Sequence, residues 1–399
     1  MSELRTALVG AILVALGPLS MALYTPAMPT LVGVYRVSED LVALTVTLYF
    51  AGFALAQLVC GPLSDAYGRR RVAVGFFGVY VIGSAIATVA GSIGWLLAAR
   101  AIQGVGAAAG VAISRAIVRD LFVGQASARI HNLIGLMLGV APAVAPTLGG
   151  VLLVTAGWHS MFVVMLAYGL FVMLLLARVP ETLAAPQPAL ASPRRLLASY
   201  ATLLASPAYM RPTLVIAFTL GGVYTLASVL PFVMMERVGL APAEYGLAML
   251  LQTGSFLVSS LLTQRLLRRV DAQRLVPVGL GLVATSAVLL VSSLATLEPS
   301  VPTVMLPIAV WSFGIGLLMP GATTAALAPF PSIAGAASAL MGFVQVGGGL
   351  LGSLAASLLP DATLGMATVL PCMAAGALAA YLGLGRQSAR CAARASTAS

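Results

Sequence analysis

The sequence "CGPLSDAYGRRRV" runs from Cys60 to Val72 and places one carboxylate and three consecutive arginines between two long apolar segments. The whole chain has 399 residues, of which 60% are hydrophobic and only 8% are charged. A soluble protein of this length would need many more charged residues to cover its surface. The quoted stretch therefore indicates a short polar turn between two helices that lie in a membrane.

Apolar segments of about 20 residues recur along the chain, which is the length that a helix needs to cross roughly 30 Å of hydrocarbon. Their number and spacing predict an all-α polytopic membrane protein with twelve transmembrane helices. The predicted spans are 6–28, 41–62, 71–91, 95–118, 131–154, 158–178, 211–235, 244–264, 275–295, 302–325, 334–359 and 364–385.

The basic residues are all arginine, and their distribution predicts the orientation of the chain. With the N-terminus in the cytoplasm, 17 of the 21 arginines fall in cytoplasmic segments, and only Arg36 and Arg237 fall in outer loops. Such an excess of positive charge is typical of cytoplasmic loops. Both termini are therefore predicted to be cytoplasmic, and the net charge of +10 reflects topology rather than a nucleic-acid partner.

A weak internal repeat divides the spans into two groups of six. The string "GPLSDAYGRRR" from Gly61 is similar to "SLLTQRLLRRV" from Ser260, at an offset of 199 residues. The longest polar connection lies between the two groups and is rich in proline, alanine and serine. We predict a six-helix bundle over 1–178, a central cytoplasmic linker over 179–210, a second bundle over 211–385 and a disordered tail over 386–399.

Several motifs accompany the quoted turn. "RAIQGVGAAAG" begins at Arg100, "APAVAPTLGG" at Ala141, "GPLSMALYTPAMP" at Gly17 and "SRAIVRDLF" at Ser114. Together with the turn, these strings resemble the major facilitator superfamily. Within it, they are most similar to the bicyclomycin- and chloramphenicol-resistance branch of the twelve-span drug/proton antiporters.

The resemblance implies a fold of two pseudo-symmetric six-helix bundles. It also implies efflux of small amphipathic, drug-like molecules by alternating access, with a proton gradient as the energy source. The expected partners are a small-molecule substrate and the lipid bilayer of a bacterial inner membrane, and the expected state is a monomer. No enzymatic reaction, cofactor or metal is predicted. An uncoupled facilitator, a specific metabolite exporter and a non-transporting membrane receptor are the alternatives.

In the turn between spans 2 and 3, the resemblance implies a conformational latch, meaning a set of charges that holds one state of a transporter. By matching position, its members are Asp65, Arg69 and Asp120. Gly61 and Gly68 are expected to permit close helix approach and a tight turn. The alternative is that these charges only fix the topology.

Span 5 contains Ala145, Pro146, Gly149 and Gly150, which form a small-residue surface interrupted by proline. Small residues let a second helix backbone approach closely. We expect the partner to be span 11, whose "VGGGLLGSLAAS" from Val346 is equally small. Ordinary packing elsewhere is the alternative.

Span 4 carries two arginines within the membrane. Arg115 is close to the cytoplasmic end, where snorkelling to the surface is the better interpretation. Arg100 lies deeper from the other end, and the resemblance associates its position with proton transfer. Snorkelling to the outer interface is the alternative for Arg100.

An intramembrane carboxylate is missing from this sequence. Ala22 occupies the position where the related branch usually has aspartate, and all eleven acidic residues fall in loops or at helix ends. The expected partners of Arg100 are therefore Gln103, Tyr24 or backbone carbonyls. Neutral, zwitterionic or anionic substrates are expected rather than cations.

The resemblance also implies a substrate cavity between the two bundles, lined mainly by spans 1, 4, 7 and 10. An apolar pocket with a few polar groups suits an amphipathic molecule. For each residue, packing between helices is the alternative. The polar, aromatic and methionine residues available there are Tyr24, Tyr49, Gln57, Gln103, Met137, Tyr224, Gln252, Trp311 and Gln345.

Overall fold

A computed structural model describes residues 2–122, 130, 134, 144–183 and 192–397. These residues fold into helices joined by short turns. The helices are α1 (Glu3–Ala22), α2 (Met28–Tyr35), α3 (Glu39–Tyr67), α4 (Arg69–Thr88), α5 (Ile93–Ala107), α6 (Ala109–Leu121), α7 (Val144–Ala156), α8 (His159–Ala177), α9 (Pro193–Leu204), α10 (Pro207–Phe232), α11 (Pro242–Leu266), α12 (Ala272–Thr296), α13 (Val301–Leu327), α14 (Ala334–Ser357) and α15 (Ala362–Thr397).

In the described part of the chain, eleven helical segments are long and apolar enough to cross a membrane, and α7 is a shorter apolar helix. The prediction of an all-helical polytopic membrane protein is confirmed. The predicted fifth span, 131–154, lies largely outside the described residues before Val144.

The two ends of the helices are named by their charge. The arginine-rich face is the end that carries Arg69, Arg70 and Arg71, and the other end is called the opposite face.

Span 1 is not one continuous helix. Helix α1 ends at Ala22, a single 3₁₀ turn covers Thr25–Ala27, and α2 then runs to Tyr35. Pro26 lies in this turn and has no backbone N–H to continue the α-helical ladder. Together α1, this turn and α2 form one apolar segment from Glu3 to Tyr35, which extends well past the predicted end at residue 28.

Span 4 is also divided, into α5 and α6 at Ala108, and it packs tightly on its neighbours. A Cβ atom at Gly104 would collide with the carbonyl oxygen of Tyr49 in α3, and one at Gly110 would collide with the carbonyl oxygen of Leu13 in α1. Glycine is therefore required at both positions for this approach. The close packing places span 4 in the centre of the first bundle.

Buried apolar side chains form two large clusters. One contains mostly residues before 180, and the other contains residues after 202. Each cluster is the interior that a helical bundle of this size would bury. The exact domain boundaries stay a prediction.

The predicted linker and the predicted disordered tail both contain helix. The linker includes α9, in which Leu203 is buried and the Tyr200 hydroxyl donates to the Leu58 carbonyl of α3 at 2.7 Å. Burial raises the pKa of Tyr200 to about 12. Helix α15 continues to Thr397 instead of ending at 385 as predicted. After residue 385, the alanines and arginines favour helix, and no proline or glycine interrupts them.

The two bundles meet along two helix pairs. Helix α3 packs along α14, and α7 packs against α11, where a Cβ at Gly150 would collide with the Pro242 carbonyl. The expected pairing of span 5 with span 11 is therefore wrong for the described part of span 5. The six-span repeat explains this difference, because it relates span 2 to span 8 and span 11 to span 5. A contact between spans 2 and 11 then has its counterpart between spans 8 and 5.

Candidate functional site: a charged turn and a buried arginine

The turn between spans 2 and 3 consists of a single residue. Helix α3 ends at Tyr67, Gly68 has φ +101°, and α4 begins at Arg69. This φ strongly favours glycine, and a Cβ there would lie 2.7 Å from Oε2 of Glu181. Gly61 differs, because no atom lies within 4 Å of a Cβ built on it, so the predicted close approach does not occur at Gly61.

Arg69 joins the ends of three helices at the arginine-rich face. Its Nη1 lies 2.5 Å from Asp65 Oδ1, and its Nε donates to Asp120 Oδ2 at 2.8 Å. Nη1 also donates to Ser64 Oγ at 2.8 Å, and Arg69 is only 2% exposed. The structure thus brings together the three charged residues that the sequence predicts for the latch, and their role in holding a state stays a prediction.

Glu181 is a fourth member of this cluster that was not predicted from the sequence. Its carboxylate accepts from the backbone N–H of Arg69 at 2.8 Å and of Arg70 at 3.1 Å. These are the first amides of α4, which have no partner within the helix and favour a negative charge. The available signal is Pro180 followed by an acidic residue just after span 6, at the same face as the arginines.

Polar side chains of the first bundle face small residues of α14 near this cluster. Oδ2 of Asp65 lies 3.8 Å from a Cβ built on Gly335. Nη1 of Arg115 lies 3.5 Å from Ser338 Oγ. Arg115 therefore reaches toward the other bundle, and its snorkelling to the surface stays a prediction.

Arg100 is fully buried in the first bundle, at 0% exposure. Its guanidinium carbon lies 4.7 Å from the ring centre of Tyr24 and 4.4 Å from that of Tyr49. Nη1 donates to Gln103 Oε1 at 2.9 Å and lies 3.4 Å from the Ser20 carbonyl oxygen. These contacts include the partners that were expected from the sequence, and they rule out snorkelling in this structure.

The partners of Arg100 are themselves fixed by hydrogen bonds. The Tyr24 hydroxyl lies 2.9 Å from Thr45 Oγ1, and Gln103 Nε2 donates to Ser84 Oγ at 2.9 Å. The ring of Tyr24 and the amide of Gln103 are therefore held in position. Arg100 is surrounded by a pre-formed polar and aromatic shell.

This shell contains no carboxylate. All eleven acidic residues belong to the described part of the chain, and each lies in a turn or near a helix end. The ion pairs among the described residues involve Arg69, and Arg100 Nε and Nη2 have no hydrogen-bond partner there. Ala22, at the position where the resembling branch usually has aspartate, is buried at the end of α1. Arg100 thus carries a buried charge with incomplete compensation.

Two further cavity candidates lie where the bundles meet. The Tyr224 ring of α10 is 5.0 Å from that of Phe50 in α3. Gln57 of α3 lies directly against Gly342 of α14, where a Cβ would collide with its Oε1. Both side chains are therefore at the surface along which the bundles would separate.

The remaining candidates occupy different environments. Trp311 is 0% exposed in the second core, and its Nε1 donates to the Thr219 carbonyl at 2.9 Å. Gln252 of α11 is buried, and its Oε1 has no hydrogen-bond partner among the described residues. Gln345 lies partly exposed on α14, and Met137 lies outside the described residues.

Of the helix-5 motif, Ala145 is buried, and Gly149 and Gly150 pack against backbone of other helices. A Cβ on Gly149 would collide with the Leu23 carbonyl at the break in span 1. Pro146 lies close to Gly246 of α11. The motif therefore joins span 1 and span 8 near the opposite face.

Comparison with known proteins agrees with this geometry. The family described as Major Facilitator Superfamily matches residues 10–353. Multidrug resistance protein D of Escherichia coli strain K12 is 29% identical over 87% of this chain and 87% of its own length. A bicyclomycin resistance protein homolog of Haemophilus influenzae is 26% identical over 93% of this chain and 94% of its own length.

Solved structures share the fold. The xylose transporter XylE from E. coli, in a partially occluded inward-open conformation, matches with a TM-score of 0.74. The alignment covers 94% of this chain and 96% of that chain at 14% sequence identity. At this identity the similarity concerns the arrangement of helices alone.

Proposed function

The chain belongs to the Major Facilitator Superfamily, and we propose that it is a secondary efflux transporter for small amphipathic, drug-like molecules. The observation that carries this proposal is Arg69, held between Asp65 and Asp120 at the edge of the contact between α3 and α14. The names of relatives that are similar over most of the chain, which refer to multidrug and bicyclomycin resistance, support the class of substrate.

Transport would proceed by alternating access between the two helix pairs. Opening at the arginine-rich face separates α3 from α14 and exposes the charged cluster to water. Water then hydrates these charges and weakens their ion pairs, because the Coulomb attraction between two charges is strongest where solvent is excluded. Opening at the opposite face separates α7 from α11. The charged cluster thus stabilises the state that is closed at the arginine-rich face.

We place the arginine-rich face in the cytoplasm of a bacterium, with both termini inside and the spans in the inner membrane. The distribution of 17 of 21 arginines supports this orientation. A monomer is sufficient, because the two bundles that must move belong to one chain.

A proton gradient is the proposed energy source. A proton-coupled exporter needs a group that gains and loses a proton as the site changes sides, and carboxylates do this most readily. An uncoupled facilitator is the second candidate, and the buried Arg100 without a carboxylate partner specifically favours it.

Purified protein in proteoliposomes tests both candidates. A phenicol, a bicyclomycin-like compound and small metabolites are added in turn, and substrate movement and proton release are recorded together. Export with proton release supports antiport, whereas export without proton movement supports the facilitator. If no compound is transported, the chain is not an exporter of this class, and binding without transport would favour a receptor.

A further inference from the structure

A second arginine of the first bundle, besides the one in the charged cluster, lies beside α14. Arg115 lies on α6, six residues before its end at Leu121, or about 9 Å from the arginine-rich face. It is partly exposed, and Nη1 makes a long contact of 3.5 Å with Ser338 Oγ. At this length the contact is too weak to compensate a charge.

No carboxylate neutralises Arg115 in the described structure. All eleven acidic residues are described, and those nearest along the chain, Asp65 and Asp120, are bonded to Arg69. A further polar side chain faces α14: Gln57 of α3 lies against Gly342, four residues after Ser338. Ser338 and Gly342 are four residues apart and therefore lie on the same face of α14. Arg115 and Gln57 are thus successive polar side chains beside that face.

Separation of α3 from α14 changes the surroundings of both side chains. Arg115 loses Ser338 and Gln57 loses Gly342, because these partners belong to the other bundle. Both side chains then face the widening cleft on the path from the arginine-rich face to the bundle interior. A guanidinium in such a partly dehydrated cleft binds carboxylates through paired hydrogen bonds.

We propose that Arg115 and Gln57 form an anion-recognising position on the substrate path, and that the exported molecules are amphipathic organic anions, chiefly carboxylates. This inference rests on the proposed export function. The guanidinium of Arg115 binds the carboxylate, and the amide of Gln57 donates to the same group or to a neighbouring acceptor. The apolar remainder of the molecule packs against the walls of the cleft.

Transport of a matched pair of probes tests the proposal. Dansylglycine carries a carboxylate, whereas dansylglycinamide has the same apolar group and no charge. We expect wild-type proteoliposomes to transport the carboxylate about tenfold faster, as one charge-assisted hydrogen bond allows. Arg115→Gln should lower the ratio of the two rates about tenfold, and Arg115→Lys should retain most of it. Arg71→Gln, which removes an exposed arginine at the arginine-rich face, should leave this ratio unchanged.

Each result has a defined meaning. Equal transport of both probes by the wild type would overturn the anion proposal and leave the export function standing. Loss of the ratio in Arg71→Gln but not in Arg115→Gln would place the recognition elsewhere. If Arg115→Gln transports neither probe, return of dansylglycine transport in Arg115→Lys supports the proposal, and no return contradicts it. If the wild type transports neither these probes nor any drug-like compound, the export function itself fails.

Discussion

Arg69 and Arg100 are two buried arginines of the same bundle, at 2% and 0% exposure, but their charges are compensated in different ways. Arg69 lies between the carboxylates of Asp65 and Asp120 at a membrane face. Arg100 lies in the bundle interior between two tyrosine rings, with one amide oxygen and one backbone carbonyl as acceptors.

Only one of these two charges is placed to respond when the arginine-rich face opens. Carboxylate partners of Arg69 can be replaced by water when the arginine-rich face opens, so this cluster can distinguish two states. The Arg69 cluster borders α14 through Asp65, whereas the rings and dipoles around Arg100 lie in the interior of the first bundle. We therefore expect Arg100 to keep the same neighbours whichever face is open, and its charge to stay incompletely compensated in both states.

The largest effect is expected from breaking the compensated arginine. Arg69→Gln removes the cation that is bonded to Asp65 and Asp120, and removal of one partner of a buried pair costs about 3–5 kcal/mol. Transport should fall roughly a hundredfold through loss of the closed state. In a double-mutant cycle with Asp120→Asn, the second change should add little to Arg69→Gln, because both remove the same interaction. Additive effects would show that the pair does not act as a unit.

The comparison can be sharpened by giving Arg100 the carboxylate that it lacks. Gln103→Glu keeps the size of the side chain and places an anionic oxygen where Oε1 lies 2.9 Å from Arg100 Nη1. A charge-assisted hydrogen bond should raise the free energy of unfolding by about 1.5–3 kcal/mol. Thermal unfolding of the detergent-solubilised protein measures this change.

Gln252→Glu is the matched control for that substitution. It places a carboxylate in a buried position of α11 where Oε1 has no hydrogen-bond partner among the described residues, and it should lower the melting temperature. A fall in melting temperature for Gln103→Glu as large as for Gln252→Glu would show that Arg100 does not need an anion.

A smaller effect is expected from the glycine that forms the turn beside Arg69. Gly68→Ala forces a side chain into a φ of +101° and brings its Cβ to 2.7 Å from Glu181 Oε2. The cost should be about 1–2 kcal/mol, with a lower melting temperature and weaker capping of α4. Gly61→Ala, which has no atom within 4 Å of the new Cβ, should have almost no effect. Equal effects at both glycines would contradict this account of the turn.

The smallest effect concerns the link between α9 and α3. Tyr200→Phe removes the 2.7 Å bond to the Leu58 carbonyl and should cost about 1 kcal/mol. Burial raises the pKa of Tyr200 from the ordinary value of 10.0 to about 12. Its contribution is therefore fully present below pH 10 and is lost as the pH rises through about 12. Melting temperatures of the two proteins should converge above pH 10, and a constant difference would argue against this role.

The sequence was sufficient to predict the features that depend on local patterns. The length of the apolar segments predicted the helical spans. The resemblance to a known family predicted that Asp65, Arg69 and Asp120 form one cluster, and the structure places them in contact. The contact of Arg100 with Gln103 follows from a spacing of three residues on one helix.

Features that depend on packing between distant segments were missed or wrong. Glu181 reaches the first amides of α4 from a turn more than 100 residues away. The helix that packs against span 5 is set by the symmetry between the bundles. Arg115 contacts Ser338, which belongs to the other bundle. None of these contacts follows from the spacing of residues along one helix.

We infer that the Arg69 cluster holds the α3–α14 contact closed at the arginine-rich face. A cysteine at Gly335 reports on this contact, because Asp65 Oδ2, at 3.8 Å, is the one atom of the described residues within 4 Å of a Cβ built there. In a background with the three native cysteines replaced by serine, labelling of Gly335→Cys by a membrane-impermeant maleimide is timed with and without Arg69→Gln. We expect slow labelling with Arg69 intact and labelling at least about tenfold faster with Arg69→Gln. Equal rates in the two proteins would contradict it.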